Sequence, residues 1–233
     1  MSRVILVRHA QASFFGVRYD DVSPLGERQA RALGEHWATH GYRVDKVYVG
    51  PRRRHRQTLD LVTAAYRERG LPWPQAVELP DLDEHQGLRV MQQHLGLGSD
   101  GEHAMHTLDP GEEHRDAAVR AFFRRYFHVM NQWATGVLEA PGIETWSEFR
   151  ARSLRALDLM CRGGGTAVAF TSGGLVSSAV GWLLGLDERR VLELSAVLRN
   201  TAMTEVQWSG SRRRLVYLNA VPHLPGPGSA TAV

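Results

Sequence analysis

Short runs of β-branched and apolar residues alternate along this chain with longer segments of helical spacing. Six runs have the length of a strand and are flanked by turn or polar residues: Val4–Val7, Lys46–Val49, Ala76–Leu79, Thr166–Thr171, Thr204–Trp208 and Leu215–Leu218. Strands that alternate with helices of a dozen or more residues usually pair in parallel, with helices on both faces of the sheet. The pattern therefore predicts an α/β fold, a three-layer α/β/α sandwich with a mostly parallel sheet.

Two helices carry clear terminal signals. Ser23 followed by Pro24 is typical of an N-cap and the first helical residue, and Gly41 is placed to end that helix. Thr145 and Glu148 have the spacing of a capping box, in which each residue satisfies a backbone N–H group near the other. Both sequences predict a helix that starts at a fixed residue.

The length of the chain and the distribution of its strands favour one domain. A chain of 233 residues is long for a single domain, so an insertion is expected. Residues 86–141 show no strand pattern, and residues 112–136 have the spacing of one long helix, so we interpret residues 86–141 as a helical cap. Residues 1–224 then form a single α/β domain, and residues 225–233, rich in glycine, proline and small residues, are expected to be a disordered tail.

The composition excludes several classes of protein. With Cys161 as its single cysteine, the chain has no internal disulfide, which fits a reducing compartment. The apolar run Val4–Val7 is too short for a signal peptide, and no stretch approaches a membrane span. The 28 basic residues barely exceed the 25 acidic ones, which is a weak surplus for a nucleic-acid-binding protein. We therefore expect a cytoplasmic protein with neither a membrane nor a nucleic acid as its partner.

Basic side chains follow the first two predicted strands. Arg8 and His9 come directly after the first strand, and four of the five residues 52–56 are arginine, at the start of a helix that follows the second strand. The carboxyl ends of parallel strands form the usual ligand crevice, and guanidinium groups bind phosphate in a bidentate manner. Helical spacing lets only one or two of these arginines face the crevice, and a solvated basic face is the common alternative.

An acidic loop follows the third predicted strand, between Asp81 and Gly87. A carboxyl group at a strand end can act as a general acid if partial burial raises its pKa toward neutrality. Asp83 and Glu84 are equal candidates for this role, and an exposed acidic loop is the simpler alternative.

The fourth predicted strand runs into Ser172, Gly173 and an apolar helix. Glycine lets the backbone approach a ligand closely, and the free N–H groups at a helix start favour an anion. The chain order Ser172, Asp187, His223 also matches that of α/β-hydrolases, but their nucleophile elbow requires glycine at position 170, where this chain has Phe170. A serine hydrolase is therefore a minor hypothesis.

Two further patterns lack the context that would give them meaning. Gly96, Gly98 and Gly101 have the spacing of a dinucleotide-binding loop but do not follow a strand. His103 and His106 lack the accompanying ligands of a metal site. We expect no metal and no cofactor.

Taken together and in order, these motifs resemble the histidine phosphatase superfamily, in its phosphoglycerate-mutase-like branch. The matching segments are Arg8-His9-Ala10-Gln11 after strand Val4–Val7, Ser23-Pro24-Leu25-Gly26-Glu27-Arg28-Gln29-Ala30, Pro51-x-x-Arg54 with Gln57-Thr58, Leu82-x-Glu84, and Glu144-Thr145 with Arg152. Several short motifs in one order, each near a strand end, are more specific than any single motif.

The resemblance implies a phosphatase that hydrolyses a phosphomonoester through a phosphohistidine. It implies that His9 is the nucleophile, that Arg8 and Arg54 bind the phosphate, and that Glu84 protonates the leaving oxygen. The implied substrate is a small phosphorylated molecule. Gln11 and Ser13 are retained polar residues expected near the phosphate.

The chain departs from the family pattern at the end of the fourth strand. Members usually carry His-Gly there, and this chain has Ser172 and Gly173. Serine donates one neutral hydrogen bond and no positive charge, so turnover is expected to be weak unless another group compensates. His223, just after the last strand, is the candidate for partial compensation. A weakly active or inactive member that binds a phosphorylated ligand or a protein partner is the main alternative, and a phosphomutase is less favoured.

Substrate selection is expected to depend on the cap. Its candidate contact residues are Arg89, His103, Arg115, Phe122, Phe123 and Tyr126. The sequence leaves the choice between a monomer and a homodimer open.

Overall fold

The strands form one six-stranded sheet. The computed structural model describes residues 2–13, 20–96, 115–210 and 212–232. Its strands are β1 (Ser2–Arg8), β2 (Lys46–Val49), β3 (Ala76–Glu78), β4 (Gly165–Thr171), β5 (Met203–Ser209) and β6 (Arg212–Ala220). Their order across the sheet is β3-β2-β4-β1-β5-β6, in which β3, β2, β4 and β1 are parallel, while β5 is antiparallel to both β1 and β6. The mostly parallel sheet and all six expected strands are confirmed.

Seven α-helices accompany the sheet within the described residues. They are α1 (Pro24–Thr39), α2 (Arg53–Glu68), α3 (Gly87–His94), α4 (Arg115–Ala134), α5 (Trp146–Cys161), α6 (Gly173–Leu184) and α7 (Glu188–Val197). None of these helices has the combination of length and apolar content that crossing a membrane requires.

The core consists of two apolar layers, one on each face of the sheet. Side chains alternate along β1, so that Val4 and Leu6 join the layer shared with α3 to α7, whereas Ile5 and Val7 join the layer shared with α1 and α2. All four side chains are fully buried. Burial on both faces explains why this strand is a continuous apolar run rather than an alternating one.

The helix ends follow the signals in the sequence. Ser23 Oγ accepts a hydrogen bond of 3.1 Å from a backbone N–H in the first turn of α1, and Gly41 beyond its C-terminus has φ +65°. In α5, Thr145 Oγ1 accepts from Glu148 N at 3.2 Å, and Glu148 Oε2 accepts from Thr145 N at 2.8 Å. These bonds satisfy N–H groups that the helix itself leaves without a partner.

The cap contains two described helices, α3 and α4. The long helix expected over residues 112–136 is present as Arg115–Ala134, and α3 was not recognised in the sequence. Apolar side chains of both helices, including Met91 and Met130, belong to the core layer on their face of the sheet. Residues 97–114, which include Gly98, Gly101, His103 and His106 of the two motifs, lie outside the described residues. The described part of the cap is therefore packed onto the sandwich.

Residues 229 and 231, in the segment 225–233 that was expected to be a disordered tail, form hydrogen bonds with buried residues. Gln29 Nε2 donates to Ser229 O at 2.8 Å and to Thr231 Oγ1 at 2.9 Å. The backbone N–H of Asn200 donates to Thr231 O at 2.7 Å. Gln29 and Asn200 are almost completely buried, and buried polar groups require hydrogen-bond partners. The tail provides these partners, a role that its composition does not reveal.

Candidate active site

The parallel strands deliver their following residues to one edge of the sheet. His9 N donates to Thr171 O at 2.8 Å, and Gly50 N donates to Phe170 O at 3.0 Å. These bonds extend the strand pairing by one residue, so that His9, Gly50 and Ser172 leave β1, β2 and β4 side by side. This edge is the usual position of a ligand in a parallel α/β sheet.

His9 is held as a neutral imidazole with one nitrogen available. Its ring is 7% exposed, and Nδ1 lies 2.8 Å from Ala10 O. Because a carbonyl oxygen only accepts, Nδ1 carries the proton and Nε2 carries the lone pair. Burial, and then the charges of Arg54 and Arg8, hold the pKa of His9 well below its usual value of 6.5. His9 therefore has the charge and the tautomer of a nucleophile.

Arg54 and Arg8 are the two guanidinium groups at this histidine. Arg54 is 5% exposed, donates to Asp20 and lies with Nη2 3.5 Å from Ser172 Oγ. Arg8 Nη1 donates to backbone carbonyl groups of Leu198 and Ala232. Both side chains lower the pKa of His9 by their charge. The surroundings of His9 are therefore positively charged.

The remaining arginines at the start of α2 point away from His9. Arg52 pairs with Asp83 at 2.6 Å, and Arg53 pairs with Asp21 at 2.7 Å. Arg56 pairs with Glu78 on the surface. Of the four arginines, only Arg54 is buried at the crevice. This agrees with the expectation from helical spacing that one or two of them face it.

The structure distinguishes between the two acidic candidates. Asp83 is engaged by Arg52, whereas Glu84 reaches the start of α6, where its Oε2 accepts from Gly174 N at 3.1 Å. Glu84 Oε1 also accepts from the backbone N–H of His85 at 3.0 Å. Glu84 is thus the carboxylate that faces the strand ends.

Glu84 does not have the raised pKa that the sequence made a condition for a general acid. Burial raises the pKa of Glu84, but His85, the backbone N–H of Gly174 and the charge of Arg54 outweigh burial and lower it below 4.5. Hydrogen bonds to a carboxylate favour its ionised form. Glu84 is therefore a carboxylate in the free protein at neutral pH.

Arg152 fixes the loop that carries Glu84. Its guanidinium donates to three backbone carbonyl groups, at 3.2 Å to Asp81, 2.7 Å to Asp83 and 3.1 Å to Glu84. It also pairs with Glu144 at 2.6 Å. The sequence showed the Glu144 and Arg152 spacing but did not reveal that the pair binds this loop.

Ser172 is in contact with a histidine that the sequence analysis left without a role. His55 Nε2 lies 2.6 Å from Ser172 Oγ, and the ring centroids of His55 and His9 are 5.8 Å apart. Both His55 and Ser172 are completely buried. The only signal in the sequence is that His55 directly follows Arg54, and this pairing is expected by chance in a chain so rich in arginine.

Three further residues expected to bind phosphate have contacts with neighbouring segments. Gln11 Oε1 accepts from Ser23 Oγ at 2.8 Å, so its side chain is joined to the start of α1. The backbone N–H of Ser13 donates to Asp21 O at 2.9 Å. A methyl group on Gly173 would lie 3.4 Å from the Nε of Arg8, which places this glycine against the guanidinium.

His223, the candidate for partial compensation, has its described contacts with Thr201 and His36. Its Nε2 lies 2.8 Å from Thr201 Oγ1, and its ring is 6.3 Å from that of His36. Among its described contacts none is with Ser172 or His9. Asp187 instead caps α7 by accepting from a backbone N–H at 2.8 Å. The serine-hydrolase order Ser172, Asp187, His223 is thus not assembled as a triad in these contacts.

The cap reaches the site through His85. The His85 ring packs among aromatic side chains of the cap and of α5, which are Tyr126, Trp133, Trp146 and Phe149. Phe122 and Phe123 stack near Tyr126, and Arg89 donates to Gln86 Oε1 at 2.6 Å. His103 and the side chain of Arg115 lie outside the described part of the chain. In that part, no group of three or more His, Cys, Asp and Glu side chains is placed to hold a metal ion.

Comparison with known families finds one match that covers most of the chain. The family described as the histidine phosphatase superfamily (branch 1) matches residues 4–122 and 109–221. These two segments include every residue placed at the site above except the tail residue Ala232 and His223.

Individual relatives share the full length of the chain. A protein of Hydrogenobacter thermophilus named "Putative phosphoserine phosphatase 2" is 27% identical over 231 residues, which cover 96% of this chain and 98% of that protein. The solved structure of YhfR from Bacillus stearothermophilus has a TM-score of 0.67 at 16% identity and covers 96% of this chain and 99% of its own. A mutant phosphoserine phosphatase of Entamoeba histolytica, solved with phosphoserine, has a TM-score of 0.61 at 16% identity and covers 96% of this chain and 100% of its own.

Proposed function

This chain belongs to the histidine phosphatase superfamily, and from that premise we propose that it is a metal-independent phosphatase that hydrolyses small phosphomonoesters through a phosphohistidine at His9. The observation that carries the proposal is the state of His9, a buried neutral imidazole with a free Nε2 between two guanidinium groups. Neutral imidazole is a good nucleophile near pH 7, and the guanidinium groups offset the charge of a phosphate dianion.

The first step transfers the phosphoryl group to His9. Nε2 attacks phosphorus, the new P–N bond forms, and the P–O bond to the leaving alcohol breaks with its electrons on oxygen. Arg8 and Arg54 neutralise the equatorial oxygens of the transferring group. The leaving oxygen takes a proton from the carboxyl group of Glu84.

Protonation of Glu84 has to accompany substrate binding, because its pKa is lowered in the free protein. A phosphate dianion beside the carboxylate repels its negative charge, which raises the pKa of Glu84 in the complex. The proton that Glu84 donates therefore enters with the substrate. Activity is expected to be highest on the acidic side of neutrality.

The second step releases phosphate. Water attacks phosphorus, Glu84 as a carboxylate takes a proton from that water, and the P–N bond breaks with its electrons on Nε2. Orthophosphate leaves, His9 returns to its neutral state, and Glu84 then releases its proton to solvent and is again a carboxylate. Splitting the hydrolysis in two avoids a direct attack of water on a dianion.

The names of the relatives support a small phosphomonoester as the substrate class. The relative from Hydrogenobacter thermophilus and the structure from Entamoeba histolytica are both named for phosphoserine. We infer that an alkyl phosphate of this size is a reasonable first substrate to test.

The proposal is tested with an aryl phosphate and with phosphoserine, both in the presence of EDTA. Wild type is expected to release phosphate, and His9→Ala is expected to abolish release. Arg54→Ala is expected to lower kcat/KM by about 10²–10³, the usual effect of removing one preorganised charged donor. The matched control is Arg56→Ala, which removes a nearby but exposed arginine. Release that persists in His9→Ala would contradict the nucleophile assignment, and no release by wild type would favour a protein that only binds phosphorylated ligands.

A further inference from the structure

Ser172 and His55 form a buried pair beside the proposed nucleophile. The 2.6 Å contact between Ser172 Oγ and His55 Nε2 joins the end of β4 to the start of α2, and neither side chain is exposed. Arg54 Nη2 approaches the same hydroxyl oxygen at 3.5 Å. One serine hydroxyl therefore connects an imidazole and a guanidinium that belong to consecutive residues.

The number of hydrogen bonds that a hydroxyl can make limits the role of this pair. A hydroxyl accepts two hydrogen bonds and donates one. If Arg54 and the imidazole N–H of His55 both donate to Ser172 Oγ, its own proton remains available for another acceptor. The ring of His9 lies 5.8 Å from that of His55, so a phosphoryl group on His9 would be the nearby acceptor.

The surroundings of His55 keep its ring fixed. Its other ring nitrogen, Nδ1, packs on the Gly50 backbone so closely that a methyl group on Gly50 would lie 2.3 Å from it. Burial, and then the charge of Arg54, hold the pKa of His55 well below 6.5. A neutral ring has a single N–H group to donate. The imidazole is thus neutral rather than a cation, and because Nδ1 has no hydrogen-bond partner among the described residues, we assign its single N–H group to Nε2, which lies against Ser172 Oγ.

We propose that His55 and Ser172 act as one hydrogen-bonding unit that binds the phosphoryl group at His9, with His55 as the positioning residue and the Ser172 hydroxyl as the donor. In this unit the imidazole belongs to α2. The sequence showed only the serine that follows β4. The inference rests on the proposed function for its catalytic consequence, but binding of a phosphate-like anion tests it separately.

The decisive experiment exchanges the two residues. In Ser172→His alone, a second imidazole would have to fit against the buried His55 ring, and overpacking at such a site is destabilising. In His55→Ser alone, the imidazole is lost. Each single variant is expected to lose on the order of 10² in kcat/KM, the size of one lost preorganised donor, whereas the double variant Ser172→His with His55→Ser is expected to recover to within about tenfold of wild type.

A conservative pair of variants separates positioning from packing. His55→Gln keeps a side-chain N–H donor and is expected to retain more activity than His55→Phe, which keeps an aromatic ring without a donor. The melting temperature of every variant is measured with and without orthovanadate, because an anion that binds only the folded state raises it. His40→Gln, which alters an exposed histidine directly after α1, is the control.

Each result has a definite meaning. The proposal predicts that orthovanadate raises the melting temperature of wild type by more than that of His55→Phe. It is overturned if Ser172→His alone matches or exceeds wild type, if His55→Phe matches His55→Gln in activity and in vanadate response, or if orthovanadate leaves wild type unchanged. If wild type binds vanadate through His55 but releases no phosphate, the proposed function fails while this inference stands.

Discussion

Glu84 Oε2 and the backbone N–H of Gly174 are joined by a hydrogen bond of 3.1 Å. This bond ties the loop after β3 to the first turn of α6, where N–H groups have no partner within the helix. The positive end of the helix dipole adds to the stabilisation of the carboxylate. The proposed proton donor is therefore placed by two elements that are far apart in the chain.

Gly174→Ala is expected to displace this carboxylate. A Cβ atom at Gly174 would lie 2.1 Å from Glu84 Oε1, far inside a normal contact. We expect kcat for an alkyl phosphate to fall by about 10², the usual contribution of a general acid, and the melting temperature to fall as well, because the same Cβ atom would lie 2.7 Å from Cδ2 of the buried His85 ring. Gly228→Ala is the control, because nothing lies within 4 Å of its Cβ position. An unchanged kcat in Gly174→Ala would show that Glu84 has another position during the reaction.

Glu84→Gln is expected to show a strong dependence on the leaving group. An aryl oxide departs readily without a proton, but an alkoxide does not, so the loss in kcat should be about 10²–10⁴ for phosphoserine and much smaller for an aryl phosphate. In wild type, kcat/KM for phosphoserine should decrease as the pH rises, because the protonated fraction of Glu84 decreases. The variant should lose this alkaline decrease. Equal losses on both substrates would exclude Glu84 as the proton donor.

Arg152→Ala is expected to affect both stability and turnover. Its guanidinium is 12% exposed and holds three carbonyl groups of the Glu84 loop as well as Glu144. Removing one partner of a largely buried ion pair should lower the free energy of unfolding by about 3 kcal/mol, measured in urea. We expect kcat to fall more than KM rises, because the loop carries the proton donor. Arg155→Ala removes an exposed partner of Asp81 and should cost less than about 1 kcal/mol.

His223 is expected to make the protein less stable in acid. Burial, and then the charge of His36, lower the pKa of His223 from 6.5 to about 4. Below pH 6.5 the unfolded chain binds a proton at this residue that the folded chain does not bind until about pH 4, so the free energy of unfolding decreases with falling pH. This residue should account for a loss of about 2 kcal/mol between pH 7 and pH 5. His223→Gln should flatten the dependence of the melting temperature on pH, and an unchanged slope would contradict the shift.

The sequence was sufficient for the sheet and for the helix ends because these depend on local patterns. Continuous apolar runs identified strands buried on both faces, and capping residues identified the starts of α1 and α5. Proximity to a strand end made His9 and the arginines at the start of α2 candidates, and the family resemblance selected Arg54 among them. The same reasoning predicted that most arginines at the start of α2 would face away from the crevice.

Features that depend on tertiary contacts could not be predicted. Helical spacing relates the directions of Arg54 and His55 to one another but does not say which of them faces the sheet edge, and in the structure both do. The choice between Asp83 and Glu84 depends on Arg52, which engages one of them. The pKa of Glu84 depends on N–H groups from α6, which no sequence spacing reveals.

Residues 229–232 lie against Arg8 and Gln29. Ala232 O accepts from Arg8, and Ser229 and Thr231 accept from Gln29. A shortened version that ends at Leu224 would keep every strand of the sheet, yet Arg8 and Gln29 would lose these acceptors. A fragment that keeps Arg8 in its observed orientation must therefore extend beyond the last strand, to the residues that accept hydrogen bonds from Arg8 and Gln29.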